Sequence, residues 1–204
     1  MTISKRTRIA AGSVVFALLA VAPSAAQDQW FSITYGVSTP TGQTKDFTNQ
    51  TSWRNVGIDY SRFIKRHLAV GLNASWTVFA ERVPDATSSL PGVDINGTQV
   101  RYVNAFPLLA TGRYFLNGRS SRDKLDAWVG AGAGALISEN RIDVGTFSVT
   151  ETKWHLAVAP EVGFAYSLHR DMSLLGQVRY TYGFKTSDIE RSFFNFNVGL
   201  AWRN

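Results

Sequence analysis

Residues 153–185 read KWHLAVAPEVGFAYSLHRDMSLLGQVRYTYGFK, and this stretch has a period of two. Trp154, Leu156, Val158, Pro160, Val162, Phe164 and Tyr166 share one face; Ala157, Ala159, Glu161, Gly163, Ala165 and Ser167 share the other. After a polar turn at residues 168–171, Leu174, Val178, Tyr180 and Tyr182 alternate with Leu175, Gln177, Arg179, Thr181 and Gly183. Successive side chains of a strand point to opposite faces, so alternation sustained this far specifies two long antiparallel strands. They exceed the five or six residues usual in a soluble sheet.

The two faces differ in a way that a soluble sheet does not need. A soluble antiparallel sheet packs its apolar face inward and solvates the other with polar and charged groups. Here the second face is mostly Gly, Ala and Ser with isolated charges. Small side chains suit the interior of a narrow closed barrel. The bulky face then points outward, where aromatic and branched residues are stable only against lipid. Apolar outside and polar inside is the transmembrane-barrel pattern.

The rest of the chain repeats it. The alternation predicts strands at residues 30–38, 53–63, 68–79, 99–115, 126–138 and 194–202, which with the hairpin make eight. Pro107 lacks an N–H for the ladder, so a bulge or local break is expected there. The Gly130, Gly132 and Gly134 series marks curvature or close packing. Short turns at 64–67 and 168–171, with a longer polar turn at 116–125, alternate with longer loops at 39–52, 80–98, 139–152 and 184–191. The predicted fold is all-β: an eight-stranded antiparallel up-and-down transmembrane barrel.

Residues 1–26 have the three parts of a cleaved secretory signal. Lys5, Arg6 and Arg8 precede an apolar run, and Ser24, Ala25 and Ala26 form a small-residue cleavage site. Residues 27–204 are then the barrel domain. The formal net charge is +6, of which the leader contributes three, so no nucleic-acid partner is implied. There is no cysteine, which excludes a disulfide framework and thiolate metal sites. No cofactor is expected.

Glu161 and Arg179 lie equally far from the centre of the 168–171 turn, so antiparallel pairing sets them opposite one another, facing in. Asp59, Arg113 and Gln177 are the other expected members of a polar interior filling. The pair reads either as a structural plug or as the constriction of a pore; eight-stranded interiors are filled by side chains, which favours the plug. Trp30, Tyr166, Trp202, Trp154 and Tyr182 are the candidate aromatic girdle at the membrane interfaces, Trp30 being off the outward parity. His155 faces in near the loop-side rim, and no Ser or Asp is evident within its reach.

The run GFAYSLHRDMSLLGQVRYTYG resembles the last periplasmic hairpin of small Gram-negative outer-membrane β-barrel domains of the OmpA/OmpX-like kind, and FNVGLAW resembles their closing strand. The resemblance implies export to the outer membrane, contact with outer-membrane lipid and lipopolysaccharide, and insertion by the barrel-assembly machinery. That machinery reads a terminal aromatic; here Trp202 is followed by Arg203 and Asn204. The expected function is a monomeric scaffold that displays its outer loops. A narrow porin-like channel is the alternative. A secreted lipocalin-like barrel needs the opposite face chemistry, and a lipid A-modifying enzyme needs a catalytic constellation that the sequence does not display.

Overall fold

The computed structural model describes residues 29–90, 93–117, 124–144 and 147–203. The proposed leader, residues 1–26, and most of the 116–125 turn lie outside them. Eight strands follow in order: β1 (Gln29–Thr41), β2 (Ser52–Lys65), β3 (Leu68–Leu90), β4 (Val93–Phe115), β5 (Leu125–Val144), β6 (Phe147–Ser167), β7 (Met172–Thr186) and β8 (Ile189–Arg203). Each pairs antiparallel with its neighbours and β1 pairs with β8, closing the barrel. Closure removes every sheet edge within the wall, and this is what lets a strand structure stand in hydrocarbon. Among the described residues no helix is long and apolar enough to cross a membrane.

The alternation is realised as burial. On β8, Phe194, Phe196, Val198, Leu200 and Trp202 are exposed, whereas Asn195, Asn197 and Ala201 are buried. Trp154, Leu156, Val162, Phe164 and Tyr166 likewise cover the outside of β6.

Three expectations are corrected. Residues 80–98 and 139–152 are not loops: β3 and β4 stay paired as far as Leu90 and Val93, and β5 and β6 as far as Val144 and Phe147. The breaker Pro84 sits where the β3–β4 register shifts, between Val83 and Ala86, so it makes a bulge and does not end the strand. It is tolerated because β2 pairs with β3 only up to Asn55 and Thr77, leaving β3 an edge beyond that point. At Pro107 the expected local break is present, without a bulge. The β3–β4 ladder resumes in register from Thr77–Ala105 to Ala74–Leu108, and opposite β5 Pro107 pairs with Leu136. At 184–191 there is a tight turn whose two residues, Ser187 and Asp188, both have positive φ (48° and 69°), the twist that suits a two-residue hairpin. The 39–52 segment contains a one-and-a-half-turn helix, α1 (Gly42–Phe47).

β6 meets β7 only from Ala157 and Gly183 inward. Beyond the rim, β3, β4, β5 and β6 therefore continue as a four-stranded sheet standing clear of the barrel wall.

Candidate functional site

Inward parity stacks the lumen in layers. At the turn side, Trp30, Phe63, Phe115 and Trp128 form a buried cluster with Leu175 and three alanines. Trp30 is therefore not in the girdle: it is 3 % exposed and faces the lumen, because Phe31 next to it takes the outward position. Gly163 makes room for this cluster, since a Cβ there would lie 2.3 Å from the Trp128 ring. Tyr166, Trp202 and Trp154 are exposed on the outer surface and Tyr182 is half-buried. Arg203 closes the turn-side end. Its guanidinium lies 5.2 Å from the Trp30 ring centroid, donates to Asp126 at 2.8 Å, and its backbone N–H donates to the Asp171 carbonyl at 2.9 Å.

Above this cluster lies a ring of four charges. Arg113 on β4 bonds both Asp59 on β2 and Glu161 on β6. Arg179 on β7 donates to Glu161 Oε2 through Nε at 2.9 Å and Nη2 at 2.6 Å, and reaches Asp59 Oδ1 at 3.2 Å. Two acids and two guanidiniums thus close a cycle whose net charge is zero. Gln177 donates to Glu161 at 2.7 Å, Asn73 to Asp59 at 3.0 Å, and Arg113 also to Ser61 at 3.0 Å. Every ring member is buried. Such charges are stable out of water only when paired and hydrogen-bonded, and here the carboxylates have several donors each. The ladder sets Glu161 opposite Arg179; closure of the barrel brings Asp59 and Arg113 to them across the lumen.

Toward the outer end the filling becomes mixed. Phe79, Val103, Leu109, Leu136 and Phe193 form a second buried cluster, on which Phe47 of α1 packs. The helix is held in the mouth by its polar side chains: Thr44 Oγ1 accepts the Ser192 N–H at 3.0 Å and Gln43 Oε1 the Glu190 N–H at 2.9 Å. Gly42 begins it with φ +51°, where a Cβ would meet Ser192 Oγ at 2.9 Å. Sequence reasoning missed this plug; Gly42 and the pair of buried threonines around Phe47 were its only signals.

His155 has a partner that the sequence did not reveal. Ser138 Oγ lies 2.9 Å from His155 Nε2, and His155 Nδ1 lies 3.0 Å from the Phe184 carbonyl. A carbonyl only accepts, so Nδ1 carries the proton and Nε2 accepts the serine hydroxyl. The two side chains are 0 % and 2 % exposed, packed into the barrel interior. Among the described residues no cluster of three or more His, Asp or Glu could hold a metal ion.

The sequence profile of the outer membrane protein beta-barrel domain matches residues 12–203. The chain belongs to that family. Its place is the outer membrane, and the exposed band of aromatic and branched side chains is its lipid-facing surface. No curated protein matches the sequence. Among solved structures the barrel is similar to outer membrane protein OprG of Pseudomonas aeruginosa, at 14 % identity over 88 % of this chain and 96 % of that one, with a TM-score of 0.56. It is also similar to Ail, the attachment invasion locus protein of Yersinia pestis, in complex with the heparin analogue sucrose octasulfate. That match has 13 % identity over 87 % of this chain and 99 % of Ail, with a TM-score of 0.54. Identities this low establish a shared barrel fold and nothing about ligands.

Proposed function

We propose that this protein is a non-conducting, non-enzymatic anchor in the outer membrane that presents the raised β3–β6 sheet and the α1-plugged mouth to the outside. The observation that carries this reading is the closed charge ring. Asp59, Arg113, Glu161 and Arg179 cross the lumen from four strands, and none is left over to attract or pass an ion. Above and below it, clusters of buried hydrophobic side chains fill the lumen. Loops and extensions on a rigid scaffold are where recognition resides, and here the scaffold holds a sheet clear of the bilayer. Lipopolysaccharide and lipid are its surrounding partners, the barrel-assembly machinery acts during insertion, and the barrel works as a monomer.

The orientation is tested with cysteines at Ser187 and Lys65, two exposed positions at opposite ends. Position 187 labels with an impermeant maleimide in intact cells, and position 65 labels only after the outer membrane is permeabilised. Labelling of 65 in intact cells overturns the assignment of the raised sheet to the outside.

A further inference from the structure

The mouth contains a cavity of about 560 Å³ between α1, the start of β8 and the inner face of the β5–β6 extension. That is within the roughly 300–1,000 Å³ of small-molecule sites. Its walls are mainly apolar: Phe47, Ile142, Val149 and Ile189 line it. Arg191 also lines it and is 3 % exposed. Arg113, Arg179 and Arg203 each reach a carboxylate; Arg191 forms no ion pair among the described residues. Its Nε has no partner, and Nη1 has only the Glu190 carbonyl at 3.4 Å. Glu151, the acid on the same lining whose charge acts on Arg191, is engaged by Lys153 at 3.1 Å. Asn140, buried on the same wall, has an unpartnered Oδ1.

A buried guanidinium that no carboxylate hydrogen-bonds is costly, and an orphaned carbonyl oxygen on the wall of the same cavity adds to the cost. Both are relieved together by a molecule that offers an acceptor anion to Arg191 and a hydrogen-bond donor to Asn140. The acids on the rim, Asp46 and Glu151, repel a multiply charged head. The apolar walls call for a hydrocarbon body.

We propose that this cavity is a binding site for a small monoanionic amphiphile: a carboxylate held by Arg191, a neighbouring hydroxyl or amide N–H donated to Asn140 Oδ1, and a short alkyl body under Phe47. Hydroxy fatty acids and N-acylated amino acids share this chemistry. The inference goes beyond the anchoring role and does not depend on whether the barrel conducts.

The test is calorimetric titration of the full-length mature barrel in lipid nanodiscs, with empty nanodiscs as the partition control. The probes are 3-hydroxyoctanoate, N-hexanoylglycine, octanoate and the methyl ester of 3-hydroxyoctanoate. Saturable one-to-one binding of either of the first two is expected, and the stronger of them identifies the source class. The methyl ester binds at least about tenfold more weakly, as does 3-hydroxyoctanoate to Arg191→Met, since a charge-assisted hydrogen bond is lost. Asn140→Leu removes the preference for the hydroxy acid over octanoate. Val149→Trp keeps Arg191 and fills the cavity, so it blocks binding even if Arg191→Met fails to fold. Heat released no differently from empty nanodiscs for both the hydroxy acid and the acylglycine, or saturable binding unchanged in Val149→Trp, overturns the site.

Discussion

The two ends of this barrel are closed by different means. At the turn side the seal is built from the strands themselves. The Trp30, Phe63, Phe115 and Trp128 rings sit with neighbouring centroids 4.9 to 5.8 Å apart, and the last residue described, Arg203, is fastened over them through Asp126. At the outer end the seal is an inserted piece, α1, held by two backbone-to-side-chain hydrogen bonds and the Phe47 ring. Around it lies a cavity. Packing fixes the first end, so disturbing it strains the wall. The second end is altered without unpairing any strand, which suits the end that we propose faces outward.

Four changes sharpen that contrast, from the largest effect to the smallest. Arg113→Ala opens the charge ring between the two ends and leaves Asp59 and Glu161 each one charged donor short. The loss expected is about 3–5 kcal/mol, read from urea titration of folding into liposomes. On the lipid face, which both ends share, Leu72→Arg costs about 2–4 kcal/mol in the same assay, whereas Asn73→Ser on the inward side costs less. Equal costs would reverse the in/out assignment. Gly163→Ala drives a methyl into the Trp128 ring and costs about 1–3 kcal/mol; Gly112→Ala, with nothing within 4 Å of its new Cβ, is the matched control and changes stability little. Phe47→Ala costs least, about 1 kcal/mol or below, because the half-buried ring rests on a cluster that remains packed without it. Hydrogen exchange then speeds up in α1 while β1 and β8 keep their protection. A loss of protection in those strands would mean that α1 supports the wall after all.

Most of the wall was legible in the sequence, for a reason confined to the bilayer. Between lipid and a narrow lumen the two faces of a strand must differ, so Phe194, Phe196 and Val198 announce their side against Asn195 and Asn197. In residues 80–98 and 139–152 no apolar band marks one face, so the sequence there looks like loops although the backbone is paired. The six residues of α1 are too few for a helical period to show. Trp30 shows parity overruling residue type: an aromatic near a strand end is as good a lumen plug as a girdle member, and only its position beside Phe31 decides. The opposition of Glu161 and Arg179 is readable from one turn, being local pairing. The reach of Arg113 to Asp59 is not, since it depends on closure across the lumen. Ser138 and His155 are on neighbouring strands, but their register follows only once residues 139–152 are paired rather than looped.

We propose that the charge ring seals the lumen. Planar-bilayer recording of the purified refolded barrel tests it most directly. Wild type inserted at high protein-to-lipid ratio in 1 M KCl, a salt level chosen at roughly the point where the Debye length falls to about 3 Å, is expected to give a silent baseline. Glu161→Ala, which frees Arg113 and Arg179 from their shared acceptor, is expected to give discrete steps. Regular single-channel steps from wild type, unchanged in size by Glu161→Ala, would contradict the seal and make the barrel a pore.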